Sequence, residues 1–184
     1  MEDERQLKIK NCGGKFWVPK WILSDLTDRK EIKMQKIKMI DISKKLPTER
    51  TARASGKILL KESTINDIKK GKLIKGDVLT TAKIAGILAS KKVDELVPLT
   101  HPLNITYCDL EFEIEKSAVR VTSLVKTKGS TGPDIEALTA VAIALLTIYD
   151  MIKSVDREAE ITDICLLEKT GGKTGDFRRE VVKS

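Results

Sequence analysis

Gly132-Pro133-Asp134-Ile135-Glu136-Ala137-Leu138-Thr139-Ala140, continuing to Asp150-Met151-Ile152-Lys153, is the stretch around which the chain is organised. Gly132 suits a helix N-cap, and Pro133 suits the first helical position, where its missing N–H costs nothing. Between residues 137 and 149 only Thr139 and Thr147 interrupt the apolar run, so such a helix must be covered on nearly all sides. One sheet covers one face, and the remaining face then points to another helix or another subunit. The charged groups are confined to the two ends. At ~1.5 Å rise per residue, Glu136 and Asp150 lie about 21 Å apart along the axis. If both ends act on one small molecule, they come from different copies of the helix.

Outward from this helix, residues 161–168 read as a following strand. The clearest strand signal precedes it: Cys108, Leu110, Phe112 and Ile114 alternate with Asp109, Glu111, Glu113 and Glu115, which is period two with one wet face. Lys116-Ser117 turns the chain back into a strand over residues 118–126, with Val119, Val121 and Val125 on one face. Further upstream, residues 54–60 end in a strand-like Ile58-Leu59-Leu60. Ser63 or Thr64 can cap a short helix that stops at Gly71, and Asp77 caps a longer one. Pro98 and Pro102 bracket a stiff loop, residues 39–42 form a short strand, and residues 44–53 form a polar linker. From residue 54 the order is β, α-α, β-β, α, β. This predicts an α+β fold, the split βαβ of ferredoxin-like proteins with an extra helix in the first crossover.

A chain of 184 residues is one domain's worth with room for an appendage. Residues 1–38 read as that appendage, an N-terminal extension of unknown role, with residues 39–184 as the domain. The extension holds both tryptophans, Trp17 and Trp21. It is either an arm that docks on something or a loosely ordered leader ahead of a start at Met39. No apolar run is read as reaching the length of a membrane span. The acidic start Met1-Glu2-Asp3-Glu4 is unlike a secretory signal, so a cytoplasmic location is expected. Cys12, Cys108 and Cys165 are odd in number and scattered, which argues against a disulfide framework or a zinc site. The net charge of +7 is uneven: residues 1–38 carry ten Lys/Arg against six Asp/Glu, and the remainder 24 against 21. A domain so nearly balanced can hold a triphosphate but is a poor platform for a polyanion. No nucleic-acid partner and no membrane are expected.

Gly172-Lys173-Thr174 matches the end of a phosphate loop, but Leu167 stands where that motif needs its first glycine, and no helix follows. A P-loop NTPase is excluded. What remains is a Gly-rich turn with Lys169 and Lys173, which either wraps an anion or is a solvated tail. His101, the only histidine, sits in Pro98-Leu99-Thr100-His101-Pro102, where a stiff backbone suits a positioned contact but serves a structural role equally well. No second histidine or cysteine cluster accompanies it, so no metal is expected.

Asp150 and Lys153 are three apart on one helix face. Their simplest reading is a surface ion pair. The apolar turns before them favour another, in which desolvation draws the Lys153 pKa towards neutrality against the pull of Asp150, leaving a lysine able to exchange protons. Asp134 and Glu136 lie in the first turn, where acids complement the helix dipole. A carboxylate there can also accept from the N–H edge of a guanine-like ring. Lys75, ahead of Gly76-Asp77 at a helix start, is placed for phosphate.

Several blocks together resemble the molybdenum cofactor biosynthesis protein C family. They are Met39-Ile40-Asp41-Ile42-Ser43, Lys75-Gly76-Asp77-Val78, Ala82-Lys83-Ile84-Ala85-Gly86-Ile87 and Leu99-Thr100-His101-Pro102-Leu103. They continue with Thr131 to Ala140, Leu146 to Met151 and Lys169 to Phe177, in the family's order, across about residues 39–180. The resemblance implies a ferredoxin-like subunit of a dimer-based hexamer with active sites at the dimer interface. It implies a lyase that converts a cyclised dihydro-GTP to cyclic pyranopterin monophosphate with loss of pyrophosphate. Asp150 and Lys153 match the family's acid/base pair, and Lys75 and Lys169 its other essential lysines. Leu99, Thr100, His101, Ile135 and Glu136 match substrate contacts. Lys173 and Arg50 are further candidates for the triphosphate. No cofactor is indicated, although a divalent ion such as Mg is compatible with a triphosphate. Thr100 stands where many members have Cys, and Asp134 where many have Glu. The rival readings are an RNA-binding ferredoxin-like module, which needs aromatics on an open sheet face, and a non-catalytic guanine-nucleotide sensor.

Overall fold

The computed structural model describes residues 6–11, 14–19, 37–172 and 175–180. It divides into two units, Met1–Lys38 and Met39–Ser184. The first contains an antiparallel hairpin of β1 (Gln6–Asn11) and β2 (Gly14–Pro19), in register from Gln6 opposite Pro19 to Asn11 opposite Gly14. Cys12 and Trp21 lie outside the described residues.

The second unit is an α+β domain. Its sheet has the order β4-β5-β3-β6-β7, and every neighbouring pair is antiparallel. The strands are β3 (Thr48–Leu59), β4 (Ile105–Ile114), β5 (Ala118–Gly129), β6 (Glu160–Thr170) and β7 (Phe177–Arg178). The helices are α1 (Glu62–Lys69), α2 (Val78–Ser90), the single turn α3 (Val93–Leu96) and α4 (Asp134–Ile152). The order β, α-α, β-β, α, β read from the sequence is present, with α3 and β7 added.

The period-two segments behave as their pattern dictates. Along β5, Val119, Val121, Ser123, Val125 and Thr127 are buried while the residues between them are not. In β4, Leu110 is buried and Glu111 and Glu113 are exposed. β3 differs from expectation. The polar linker assigned to residues 44–53 is half strand, because β3 already begins at Thr48. Thr48 to Arg53 has no apolar alternation to betray it. Its assignment comes from backbone pairing on both edges, with Thr48 opposite Gly129 on one side and Thr51 opposite Thr170 on the other. Residues 39–42, expected as a strand, are in none. Asp41 there accepts the Ser43 N–H at 2.9 Å and closes a tight turn.

α4 lies on the sheet through Ala137, Ala140, Val141, Ala144, Leu145, Ile148 and Ile152, all fully buried. Burying each of the large aliphatic side chains stabilises the fold by about 2 kcal/mol. The helix begins one residue later than expected. Pro133, at ψ 38°, is the N-cap, and its carbonyl accepts the Ala137 N–H at 3.0 Å. The expectation that no apolar run matches a membrane span is corrected here. α4 has 19 residues and a mean hydropathy of 1.8, long and apolar enough to cross a membrane, and in this fold it is the core helix. α2 crosses it closely. A Cβ on Gly86 would stand 2.7 Å from Leu110 Cδ2 and 2.8 Å from the Ala140 carbonyl oxygen, so only glycine fits the crossing. Asp77 caps α2 as expected, accepting the Thr80 N–H at 3.0 Å.

One face of α4 stays uncovered by the other described residues of its domain. Ile135 is 38% and Leu146 53% exposed, with Thr139, Ala142 and Ile143 partly exposed between them. On α2 and just after it, Ile84, Leu88, Leu96 and Leu99 are exposed as well.

Candidate active site

At its C-terminal end α4 emerges into solvent and carries three charged groups together. Asp150 is in the last turn, Lys153 is the C-cap, and Lys75 arrives from the turn between α1 and α2. Lys75 Nζ donates to Asp150 Oδ2 at 2.6 Å and to the Asp150 backbone carbonyl at 3.0 Å, and Lys153 Nζ lies 2.9 Å from Oδ1. Hydrogen bonds from Lys75 and then Lys153 hold the Asp150 carboxyl down at about 2. Lys153 does not behave as the sequence suggested. Met151 and Ile152 keep one face of the last turn in the core, but Asp150 and Lys153 lie on its open face, and the Lys153 side chain is 54% exposed. Its hydrogen bond to Asp150 therefore outweighs desolvation, and its pKa moves above the ordinary lysine value rather than towards neutrality.

The N-terminal end of α4 has the opposite character. Glu136 is 4% exposed, and burial first, with Asp134 and Asp94 adding like charge, pushes its carboxyl up to about 7. It lines a pocket of about 200 Å³. Leu99, Thr100, His101 and Ile135 line the same pocket, so the two segments that the sequence reading paired are brought together. Ile40, Ile42 and Lys45 line it too, with Leu103, Thr131 and Gly132. Ile40 and Ile42 were expected in a short strand and Lys45 in a polar linker, and no periodicity marked them as lining a pocket. The only signal was that residues 39–43 formed one of the resembling blocks. The Thr100 hydroxyl donates to the Val97 carbonyl at 2.8 Å, a bond that fixes the loop after α3.

Beside this pocket, Lys169 on β6 pairs with Ala52 in the register, shares its face, and reaches Asp134 Oδ2 at 3.0 Å. Asp134 Oδ1 is buried without a hydrogen-bond partner among the described residues. It lies 2.6 Å from where a Cβ on Gly132 would stand, so the carboxylate folds back over that glycine. Arg50 Nε donates to the Gly129 carbonyl at 2.9 Å, and its guanidinium lies against Gly172. Gly171 and Gly172 have φ of +86° and +97°, and the Gly171 N–H donates to Asp176 Oδ1 at 3.0 Å. This glycine turn is therefore built around Arg50. Lys173, the remaining candidate for the triphosphate, lies outside the described residues.

The candidates form two groups at opposite ends of one helix, about 21 Å apart by the helical rise. Lys75, Asp150 and Lys153 are one group. Leu99, Thr100, His101, Ile135 and Glu136, with Asp134, Lys169 and Arg50 alongside, are the other. The first can exchange protons and neutralise an anion. The second can hold a flat polar ring and steady anionic oxygens. Among the described residues no group of three or more His, Cys, Asp or Glu is arranged to hold a metal ion. The sheet face away from the helices offers little for stacking bases. Its small cleft is lined by Arg53, Tyr107, Asp109 and Glu111, and Lys126 Nζ already sits 5.4 Å from the centre of the Tyr107 ring.

Comparison with known proteins gives one consistent result. The model of the MoaC family matches residues 39–172. A relative from Clostridium botulinum (strain Alaska E43 / Type E3) is 53% identical over 144 residues, covering 77% of this chain and 91% of its own. One from Thermoanaerobacter pseudethanolicus is 47% identical over 146 residues (78% and 92%). One from Listeria monocytogenes serovar 1/2a is 49% identical over 147 residues (79% and 92%). Each of these relatives is named cyclic pyranopterin monophosphate synthase.

Proposed function

The chain belongs to the MoaC family and is an enzyme of molybdenum cofactor biosynthesis, and from that premise we propose how its two helix ends divide the work of making cyclic pyranopterin monophosphate. The substrate in this reading is the cyclised dihydro-GTP, 3',8-cyclo-7,8-dihydroguanosine triphosphate. The pocket beside Glu136 takes its ring system. Near neutral pH Glu136 is divided between its two protonation states, so it accepts from a ring N–H when ionised and donates to a ring carbonyl when protonated. His101, Thr100, Leu99 and Ile135 fix the ring in plane. Lys169, Arg50 and Lys173 meet the triphosphate and stabilise charge on the departing pyrophosphate and the new cyclic phosphate. Asp134 holds Lys169 in place, which gives the shortened carboxylate a role.

Protons are moved by Lys75, Asp150 and Lys153, and the observation that carries the proposal is the double lysine clamp on Asp150. With its carboxyl held at about 2, Asp150 stays ionised and keeps Lys153 charged in the free chain. Lys153 therefore enters as the acid, protonating the leaving oxygen, and becomes a base for the following step. The triphosphate, arriving with several negative charges, competes with Asp150 for both ammonium groups and so releases them into the reaction.

The two groups meet on one substrate when a second copy lies against the uncovered face of α4, so that the pocket of one copy faces the clamp of its partner. The exposed Ile135, Leu146, Ile84 and Leu88 support that packing. We propose a ferredoxin-like subunit, supported by the sheet order β4-β5-β3-β6, in a hexamer built from dimers. A cytoplasmic location is supported by the free thiols of Cys108 and Cys165.

Incubation with the cyclised nucleotide, read by mass for pyrophosphate and the pterin, tests the reaction. Wild type yields both, and Lys153→Ala retains its fold but loses about 10³-fold in turnover. Product formed at the normal rate by that variant removes Lys153 from the mechanism. Mixing Lys153→Ala with Glu136→Ala, each inactive alone, restores turnover when sites are shared between copies, and restores none when each chain holds a whole site.

A further inference from the structure

Asp156 lies three residues beyond Lys153 and is 1% exposed. Its Oδ2 accepts the Lys61 backbone N–H at 2.8 Å and the Thr64 hydroxyl at 3.0 Å. Its Oδ1 has no hydrogen-bond partner among the described residues, with Lys61 Nζ 3.8 Å away and itself engaged at 2.7 Å by Glu158. Burying a carboxylate oxygen with only a long ionic contact is costly, and a local cap at position 61 would have avoided it. Lys61, the N-cap of α1, makes no side-chain cap bond of its own. The helix starts on a carboxylate borrowed from far along the sequence.

That bond joins two pieces of backbone. On one side, the Asp156 and Val155 N–H groups both donate to the Ile152 carbonyl, at 3.0 and 2.9 Å, so the carboxylate is the outer end of the turn that carries Lys153. On the other side, α1 runs from Glu62 to Lys69. It passes through turns closed by Lys72 N–H to the Asp67 carbonyl and Gly76 N–H to the Leu73 carbonyl, and these present Lys75. Ammonium groups from both pieces converge on Asp150 at 2.6 and 2.9 Å.

We propose that Asp156 is a positioning residue for the reaction. Through the start of α1 it locks the segment bearing Lys75 against the turn bearing Lys153, so that both meet Asp150. Its effect on turnover rests on the mechanism proposed above, whereas its effect on the geometry of the clamp does not.

The test uses the full chain with Asp156→Ala, Asp156→Asn and Thr64→Val, and with Val121→Ala as a core substitution remote from the clamp. Circular dichroism fixes a temperature at which each is folded. The Asp150 carboxyl is followed by carbon NMR on aspartate-labelled protein, its signal identified by its loss in Asp150→Asn. In Asp156→Ala the Asp150 titration moves up by about one pH unit, and kcat falls by about tenfold or more while KM stays within about threefold. Asp156→Asn, which keeps an acceptor oxygen for Lys61 and Thr64, recovers most of both. Thr64→Val shows the same pattern more weakly and serves if Asp156→Ala does not fold. Val121→Ala changes neither. An Asp150 titration in Asp156→Ala or Thr64→Val identical to wild type overturns the proposal. So does a matching loss of kcat in Val121→Ala. A shifted titration in a protein whose wild type makes no product leaves Asp156 in its role and refutes the reaction instead.

Discussion

The two ends of α4 treat carboxylates in opposite ways. At the C-terminal end Asp150 stands in water between two lysines and is held ionised down to about 2. At the N-terminal end Glu136 is almost wholly buried, and burial pushes it up to about 7. The residues are near-equivalents, and their surroundings separate them by about five pH units. A fixed charge suits one task and a proton held near neutrality suits another, which is how one fold supplies both from ordinary side chains.

The contrast can be broken at either end. Lys75→Ala removes the larger of the two clamps on Asp150. Turnover is expected to fall about 10²-fold with the fold intact, while the pocket keeps its affinity for a guanine-like ring. Equal losses of turnover and ring binding would mean that the ends are not separate. Glu136→Gln tests the other end through stability. Between about 4.5 and 7 the folded chain binds a proton at Glu136 that the unfolded chain has released, so stability falls as pH rises across that window. The glutamine variant is free of that loss. It is expected to be more stable than wild type by up to about 3 kcal/mol near pH 8 and almost unchanged near pH 4. Chemical denaturation at the two pH values measures the difference, and an equal gain at both would show that the carboxyl is not held out of water.

A substitution at mid-helix sharpens the separation. Gly86→Ala forces a methyl group against Leu110 and the Ala140 carbonyl, at a cost of about 1–3 kcal/mol, read as a lowered melting temperature. The Asp150 and Glu136 titrations are expected to stay where they are. Thr100→Cys is the smallest change. It exchanges one hydrogen bond to the Val97 carbonyl for a weaker one, worth about 1 kcal/mol or less, and turnover stays within about threefold. A larger loss would give the hydroxyl a part in the chemistry.

Much of this was legible in the sequence wherever periodicity carried it. The alternation in β4 and β5 and the apolar run of α4 reported their own burial, and Asp77 announced the start of α2. Asp150 and Lys153 were readable as a pair because three residues is one helical step. What escaped depends on distant partners. Thr48 to Arg53 is strand because β5 and β6 flank it. α1 is capped from residue 156 rather than by its own Ser63 or Thr64. Lys45 reaches the pocket from a turn without pattern. The Lys153 pKa was misjudged because the sequence shows how apolar the helix is but not which face of its last turn is covered: Met151 and Ile152 are packed into the core, while Asp150 and Lys153 face solvent.

β3 is bonded along both of its edges, to β5 over its full length and to β6 from Thr51 onward, whereas β7 meets the sheet at two residues. Deuterium will therefore enter last at the amides of β3, which open only when the whole domain unfolds, and early at Phe177 and Arg178. The glycine turn beside Arg50 joins these extremes. Its entry is clamped to the slowest-exchanging strand and its exit to the fastest, so an anion seated there would register first as slowed exchange at β7.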